Sequence, residues 1–131
     1  METIPEAFND LLEAQIATLA TVGANGRPQQ SLVWFLAEGG NILISLNTSR
    51  QKTMNLSKNP ACSVIIVDPE SGYRYLEVRG AAEIEDDSDY AFADRVGAKY
   101  GSDLRVHDSP GATRVAVTIA PERVRGVDMR S

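Results

Sequence analysis

The sequence is short of the residues that build the commoner metal and nucleophile centres. Its 131 residues hold one cysteine, Cys62, and one histidine, His107. No intrachain disulfide can form, and neither a cysteine cluster nor a His-rich metal site can be assembled, so no metal centre is expected. A catalytic pair of histidines is excluded for the same reason. No run approaches the roughly 20 apolar residues of a membrane span. The opening METIPEAFNDLL is acidic and has no apolar core, so no signal peptide is expected and a cytoplasmic location follows by default. A net charge of −5 leaves no general basic face for nucleic acid.

What is present is ordinary in bulk: 43% hydrophobic and 24% charged residues, as in globular proteins. The length suits one domain over 1–131, able to bury about two-thirds of its unfolded surface. Apolar residues at Ile4, Phe8, Leu11 and Leu12 have helical spacing behind Pro5. IATLATV reads as a strand, GANGRP as a turn, QQSLVWFLA as a second strand and ILISLN, after EGGN, as a third. A short helix from about Arg50 to Lys58 stops at Asn59-Pro60. ACSVIIVD is a nearly continuous apolar strand, consistent with burial on both faces. YRYLEVRGAAEIE is a long strand whose central Gly80 predicts a bulge or bend. A capped helix over DDSDYAFADRVGAKYG, a loop through SDLRVHDSPGAT and a last strand RVAVTIAPERVRGVD complete the chain. Strands joined by tight turns, with no room for crossover helices among the first three, predict a mainly β protein, a small antiparallel barrel with short helical additions.

The segment LNTSRQKTMNLSKNP carries an electrostatic anomaly. Arg50 and Lys52 fall at the start of the short helix, where the macrodipole and the unpaired N–H groups favour an anion. A solvated helix start is the bland explanation. Phosphate capture accounts for more: free N–H groups, a guanidinium fork, a point charge and the short polar groups of Ser45, Asn47, Thr48 and Ser49 converge there.

Other candidates have simpler readings. Ser49-x-x-Lys52 matches a Ser/Lys nucleophile spacing, but the chain lacks the companion motifs and the length of that fold. Cys62 reads as a small buried hydrophobe, and His107 as a surface residue in a polar loop. Glu85, Asp86, Asp87 and Asp89 read as the acidic start of a helix. Tyr73 and Tyr75 alternate along one strand and share a face; they serve either packing or an aromatic wall against a planar ring. Trp34, alternating with Leu32 and Leu36, carries the same two readings.

The order GRPQQSLVWF, ILISLNTSRQKTMNLSKNPACSVIIVD and YRYLEVRGAAEIEDD resembles the pyridoxamine 5′-phosphate oxidase-like flavin and deazaflavin oxidoreductases, in particular the branch using the deazaflavin coenzyme F420. The resemblance spans about Ile16 to Val127. It implies an FMN-binding split β-barrel that forms a homodimer, with two cofactor sites along the subunit interface. It places the cofactor phosphate on Arg50 and Lys52, and the ring system along Gln29, Ser31 and Val33 with Trp34 beside it. It sets the ribityl chain on Ser45, Leu46 and Asn47, and brings Tyr73 and Tyr75 towards the partner's site. The chain departs from the vitamin B6 oxidases themselves. YRYLEVRG stands where they carry an Arg-Gln-Val-Arg segment, and no equivalent of their C-terminal Arg-x-His is visible.

The expected function is therefore hydride transfer from reduced coenzyme F420 to an unsaturated small molecule. An FMN-dependent oxidase or reductase, or a cofactor-storing module without turnover, are the alternatives. No catalytic acid or base is assigned, in keeping with chemistry carried by the cofactor.

Overall fold

A computed structural model describes residues 1–131. Seven strands form one antiparallel sheet: β1 (Ala17–Val22), β2 (Pro28–Val33), β3 (Leu36–Glu38), β4 (Asn41–Asn47), β5 (Ala61–Asp68), β6 (Ser71–Asp86) and β7 (Arg114–Asp128). The helices are α1 (Gln51–Lys58) and α2 (Ala91–Tyr100), with 3-10 segments at Glu6–Glu13, Ala24–Gly26 and Leu104–His107. The strand order is β2-β1-β5-β6-β7-β4-β3.

That order forces the sheet to curl. The edge strands β2 and β3 are consecutive in sequence, with only Trp34 and Phe35 between them. Laid flat, seven strands would part the two edges by about 29 Å. The three Cα steps from Val33 to Leu36 reach about 11 Å at most. The sheet therefore rolls into a barrel left open along the β2–β3 seam, where no ladder forms. The second predicted strand, continuous from Gln29 to Ala37, is accordingly broken in two. Phe35 turns fully into the core at the break, while Trp34 swings outward.

Alternation fills the interior. Leu19, Ile42, Ile44, Val64, Ile66, Leu76, Val78, Val117 and Ile119 are all buried and point inward from successive strands. The apolar run of β5 covers only one face within the chain: Val64 and Ile66 are buried, Ile65 is half-buried and Val67 exposed. Tyr73 and Tyr75 face outward on β6, either side of buried Arg74.

The segment predicted as a helix at the N-terminus is 3-10. It lies across one end of the barrel, with Leu11 in the core and the Phe8 ring packed on Gly126. Arg74 ties it down: its guanidinium donates to Asp10 at 2.6 and 2.8 Å, to Asp68 at 3.1 Å and to the Ala7 carbonyl at 2.7 Å. The acidic start of α2 behaves as read from sequence, with the buried Asp87 carboxylate accepting from the N–H groups of Phe92 and Ala93, both at 2.9 Å. Cys62 is buried, and that burial pushes its thiol up to about 11, which makes it inert at neutral pH.

Gly80 sits where the β6–β7 register slips. A Cβ there would stand 2.4 Å from the Ala120 carbonyl oxygen, whereas one on Gly72 would meet nothing within 4 Å. Gly80→Ala should therefore destabilise the barrel by about 1–3 kcal/mol, as overpacking against backbone does. Gly72→Ala, in the same strand, should be neutral or stabilising by tenths of a kcal/mol. Urea unfolding of the two variants checks the contrast. Equal midpoints would remove the close approach as the reason for the glycine.

Candidate functional site

One cleft of about 410 Å³ opens beside the β2–β3 seam. Its floor is β4 and the end of β2, one end is the turn into α1, and the far wall is α2 with the 104–107 turn.

The turn into α1 is shaped by Asn47. Its amide oxygen accepts from the Ser49 backbone N–H at 2.9 Å and the Ser49 hydroxyl at 2.8 Å. Its backbone carbonyl accepts from Thr53 Oγ1 at 2.7 Å. The helix is docked by a polar chain that is buried at Asn55 and Thr21. Gln51 donates to Asn55 at 2.7 Å, Asn55 to Thr21 Oγ1 at 3.0 Å, and Thr21 to Gln29 Oε1 at 3.1 Å. The N-cap residue is Arg50, whose side chain caps nothing, and the N–H groups of Gln51 and Lys52 find no carbonyl in the chain.

Arg50 and Lys52 both line the cleft, and neither has a carboxylate partner. The Lys52 ammonium donates to Ser31 Oγ at 2.9 Å. Burial, and then the adjacent Arg50 charge, lower its pKa. In a chain of net charge −5, two neighbouring cations without counter-charges at a helix start are a candidate anion site.

The middle of the cleft is built on a buried ion pair. Arg114, opposite Asn47 in the β4–β7 register, meets Asp108 through Nε at 2.8 Å and Nη2 at 2.9 Å. Its Nη1 donates to Ser45 Oγ at 3.1 Å. Asp108 also accepts from Asn47 Nδ2 at 2.9 Å and from the Tyr90 hydroxyl at 2.6 Å. The Arg114 guanidinium foremost holds the Asp108 carboxyl well below the usual carboxylate range, and bonding to that carboxylate raises the Tyr90 phenol. Removing either member of such a buried pair strands the other, at about 3–5 kcal/mol.

The opposite end is apolar. Trp34 stacks on Tyr100 at 4.2 Å between centroids and 5° between planes, and meets His107 edge-on at 5.9 Å and 87°. The Tyr100 hydroxyl accepts from the Phe35 N–H at 3.0 Å and donates to the Gln15 carbonyl at 2.8 Å. The seam that frees Trp34 thus keeps its backbone satisfied.

Of the residues singled out from sequence, Val33, Trp34, Ser45, Leu46, Asn47, Arg50 and Lys52 line this one cleft. Ser31 touches it through Lys52. Gln29 is a half-buried scaffold partner of Thr21, and Tyr73 and Tyr75 lie off the cleft of their own chain. His107 is exposed, as the sequence reading had it, and it also lines the cleft against Trp34. Arg114 and Asp108 were missed. Only the pairing of β4 with β7, distant in sequence, brings them to Asn47.

The sequence profile described as pyridoxamine 5′-phosphate oxidase matches residues 4–128. The chain belongs to that family. A solved structure named an F420 reductase is 35% identical, covers 93% of this chain and 98% of its own, and superposes with a TM-score of 0.83. A conserved hypothetical protein from Mycobacterium tuberculosis is 26% identical over 98% of this chain and 87% of its own, with a TM-score of 0.77. A Clostridium acetobutylicum protein related to general stress protein 26, of the pyridoxinephosphate oxidase family, is 26% identical over 96% and 92%, with a TM-score of 0.71. The curled, open-seamed sheet found here is this family's split barrel.

The unpaired cations give this family member a measurable signature. Because its folded pKa is lowered, the Lys52 ammonium costs stability at neutral pH, and the cost fades as rising pH discharges it in the alkaline range. Lys52→Met should therefore leave the ligand-free protein equally or more stable, by tenths of a kcal/mol, with the difference shrinking at high pH. Millimolar inorganic phosphate should raise the melting temperature of wild type and not of the variant. Thermal melts over pH and phosphate check both. A variant that melts lower and still responds to phosphate would make Lys52 structural.

Proposed function

We propose that the protein is an oxidoreductase that binds coenzyme F420 in the cleft and passes a hydride to an unsaturated small molecule. The family supports a flavin-type cofactor and redox chemistry, and the 35% identical F420 reductase favours the deazaflavin. The observation that carries the reading is the unpaired Arg50 and Lys52 at the start of α1, at the end of a cleft whose far wall is a locked aromatic stack. FMN, with its own phosphate, is the second reading; the family assignment favours it.

The residues present fit such a group. Arg50 supplies a guanidinium fork, Lys52 a half-buried charge, and the first turn of α1 two free N–H groups, together matching a phosphate. When bound, the cofactor supplies the two-electron chemistry, and the protein supplies place and orientation. Asn47 holds the phosphate turn, and Arg114 with Asp108 holds Asn47 and Ser45, so the floor is preorganised. Trp34 cannot rotate away without leaving Tyr100, which keeps the apolar wall in place.

The active form in this proposal is a homodimer. Ile65, Val67, Tyr75 and Val127 lie in register on the outer face of β5, β6 and β7 with little over them in one chain, and Leu32 stands exposed on β2. A second copy covering that face would bring Tyr73 and Tyr75 towards its cleft.

Titration of the ligand-free protein with coenzyme F420 and with FMN, followed by quenching of Trp34, the only tryptophan, tests the reading. Coenzyme F420 should bind more tightly than FMN, and Arg50→Ala and Lys52→Ala should each weaken it by about 1.5–3 kcal/mol. Arg50→Lys should rescue only in part. Tighter FMN binding would hand the cleft to the second reading, and binding of neither would end both. Light scattering should give twice the 14.2 kDa chain mass; a monomer at micromolar concentration would remove the dimer.

A further inference from the structure

The polar groups around the cleft divide sharply into those already spoken for and those left free. The Ser45 hydroxyl accepts from Arg114, and both ends of the Asn47 amide are engaged, by Asp108 and Ser49. The three guanidinium nitrogens of Arg114 are spent on Asp108 and Ser45. Arg50 and Lys52 crowd the phosphate end. At the apolar end, among Trp34, Val96 and Leu104, the one group able to give or accept a proton is His107. Its ring lies edge-on to Trp34 and hydrogen-bonds to nothing in the chain.

This imidazole is also held in position. Buried Leu104 packs on α2 beside Phe92 and Val96, and Asp103 caps the 3-10 turn by accepting from the Arg105 N–H at 3.0 Å. The residue after His107 is Asp108, fastened by Arg114, Tyr90 and Asn47. An exposed ring on so constrained a backbone has two uses. It can present an N–H inward, and it can exchange protons with water outward.

We propose that His107 is the acceptor-binding residue and proton donor of the cleft when the unsaturated acceptor is a conjugated carbonyl compound. The inference rests on the oxidoreductase reading and adds a residue to it. Reduction of such an acceptor needs a hydride and a proton. The hydride, with its electron pair, comes from the reduced flavin-type cofactor and forms a C–H bond at the carbon β to the carbonyl. The C=C π pair moves to make the new C=C bond of an enolate, and the carbonyl π pair moves to oxygen. Imidazolium at His107 hydrogen-bonds that oxygen and gives it a proton, leaving neutral imidazole and an enol. The enol tautomerises in water to the saturated carbonyl compound, and solvent reprotonates the ring. Ground-state binding and transition-state charge stabilisation thus fall to one side chain.

A single histidine makes the test direct, because imidazole nitrogen resonances of the labelled protein come from His107 alone. The probes are cyclohexenone and, as a control without the carbonyl, cyclohexene, added to the cofactor-loaded protein. Cyclohexenone should move the His107 resonances and cyclohexene should not. His107→Phe keeps an aromatic edge on Trp34 without a donor. It should lower kcat for cyclohexenone reduction on the order of 100-fold and raise KM, while cofactor affinity stays at the wild-type value. His107→Gln keeps an N–H without a titrating proton, and should restore KM but not kcat. If the cofactor binds, the resonances stay still and His107→Phe turns over like wild type, the proposal is overturned and the oxidoreductase reading stands. Failure of wild type to bind either cofactor would overturn both.

Discussion

The structure depends on a two-residue crossing. Trp34 and Phe35 carry the chain from one edge of a seven-stranded sheet to the other, and a flat sheet cannot satisfy that distance. Curling brings the inward faces of all the long strands together over one core, which Phe35 helps to fill. The same crossing leaves a seam with no ladder, and the cleft opens beside it. The adjacent residue, Trp34, becomes a cleft wall because its neighbour has become core. Packing and site are therefore two consequences of one connection.

The site is polarised along its length. Cations without counter-charges occupy one end, a saturated polar network the middle, and an aromatic stack the other. The middle is the costly part to bury, and it is fully paired: every donor and acceptor of Arg114, Asp108 and Asn47 that points inward has a partner. The unpaired end is the part whose charges the chain leaves without counter-charges. This division separates saturated scaffold from free polar surface more clearly than burial does, since Asn47 and Arg114 border the cleft yet have their polar groups engaged within the chain.

Much of this was legible in the sequence. The strands, the short helix, the Gly80 bulge and the basic turn all follow from local patterns: alternation, turn chemistry, and charges at the wrong end of a helix. Arg50 and Lys52 stood out because helix electrostatics makes them anomalous. The break at Trp34 was not legible, since QQSLVWFLA is locally a good strand and only the closure of the sheet interrupts it. His107 read as a loop residue because its relation to Trp34 runs through α2 and the 104–107 turn. Arg114 and Asp108 were hidden for a related reason. Their partners lie some sixty residues away, on a strand whose neighbour in the sheet no local pattern names.

The position of β7 in the strand order also sets how the chain must acquire its structure. The strand that comes last along the chain lies between β6 and β4, and it is the only partner that β4 and β3 have beyond each other. While the chain is being synthesised, β1, β2, β5 and β6 can pair into a partial sheet with an exposed apolar face. β3 and β4 must wait as an isolated hairpin, which is marginal in water. Closure awaits the emergence of β7 from the ribosome, when Asn47 first meets Arg114 and Phe8 first finds Gly126. A nascent chain stalled before β7 would expose an open strand edge, the kind of surface that chaperones bind.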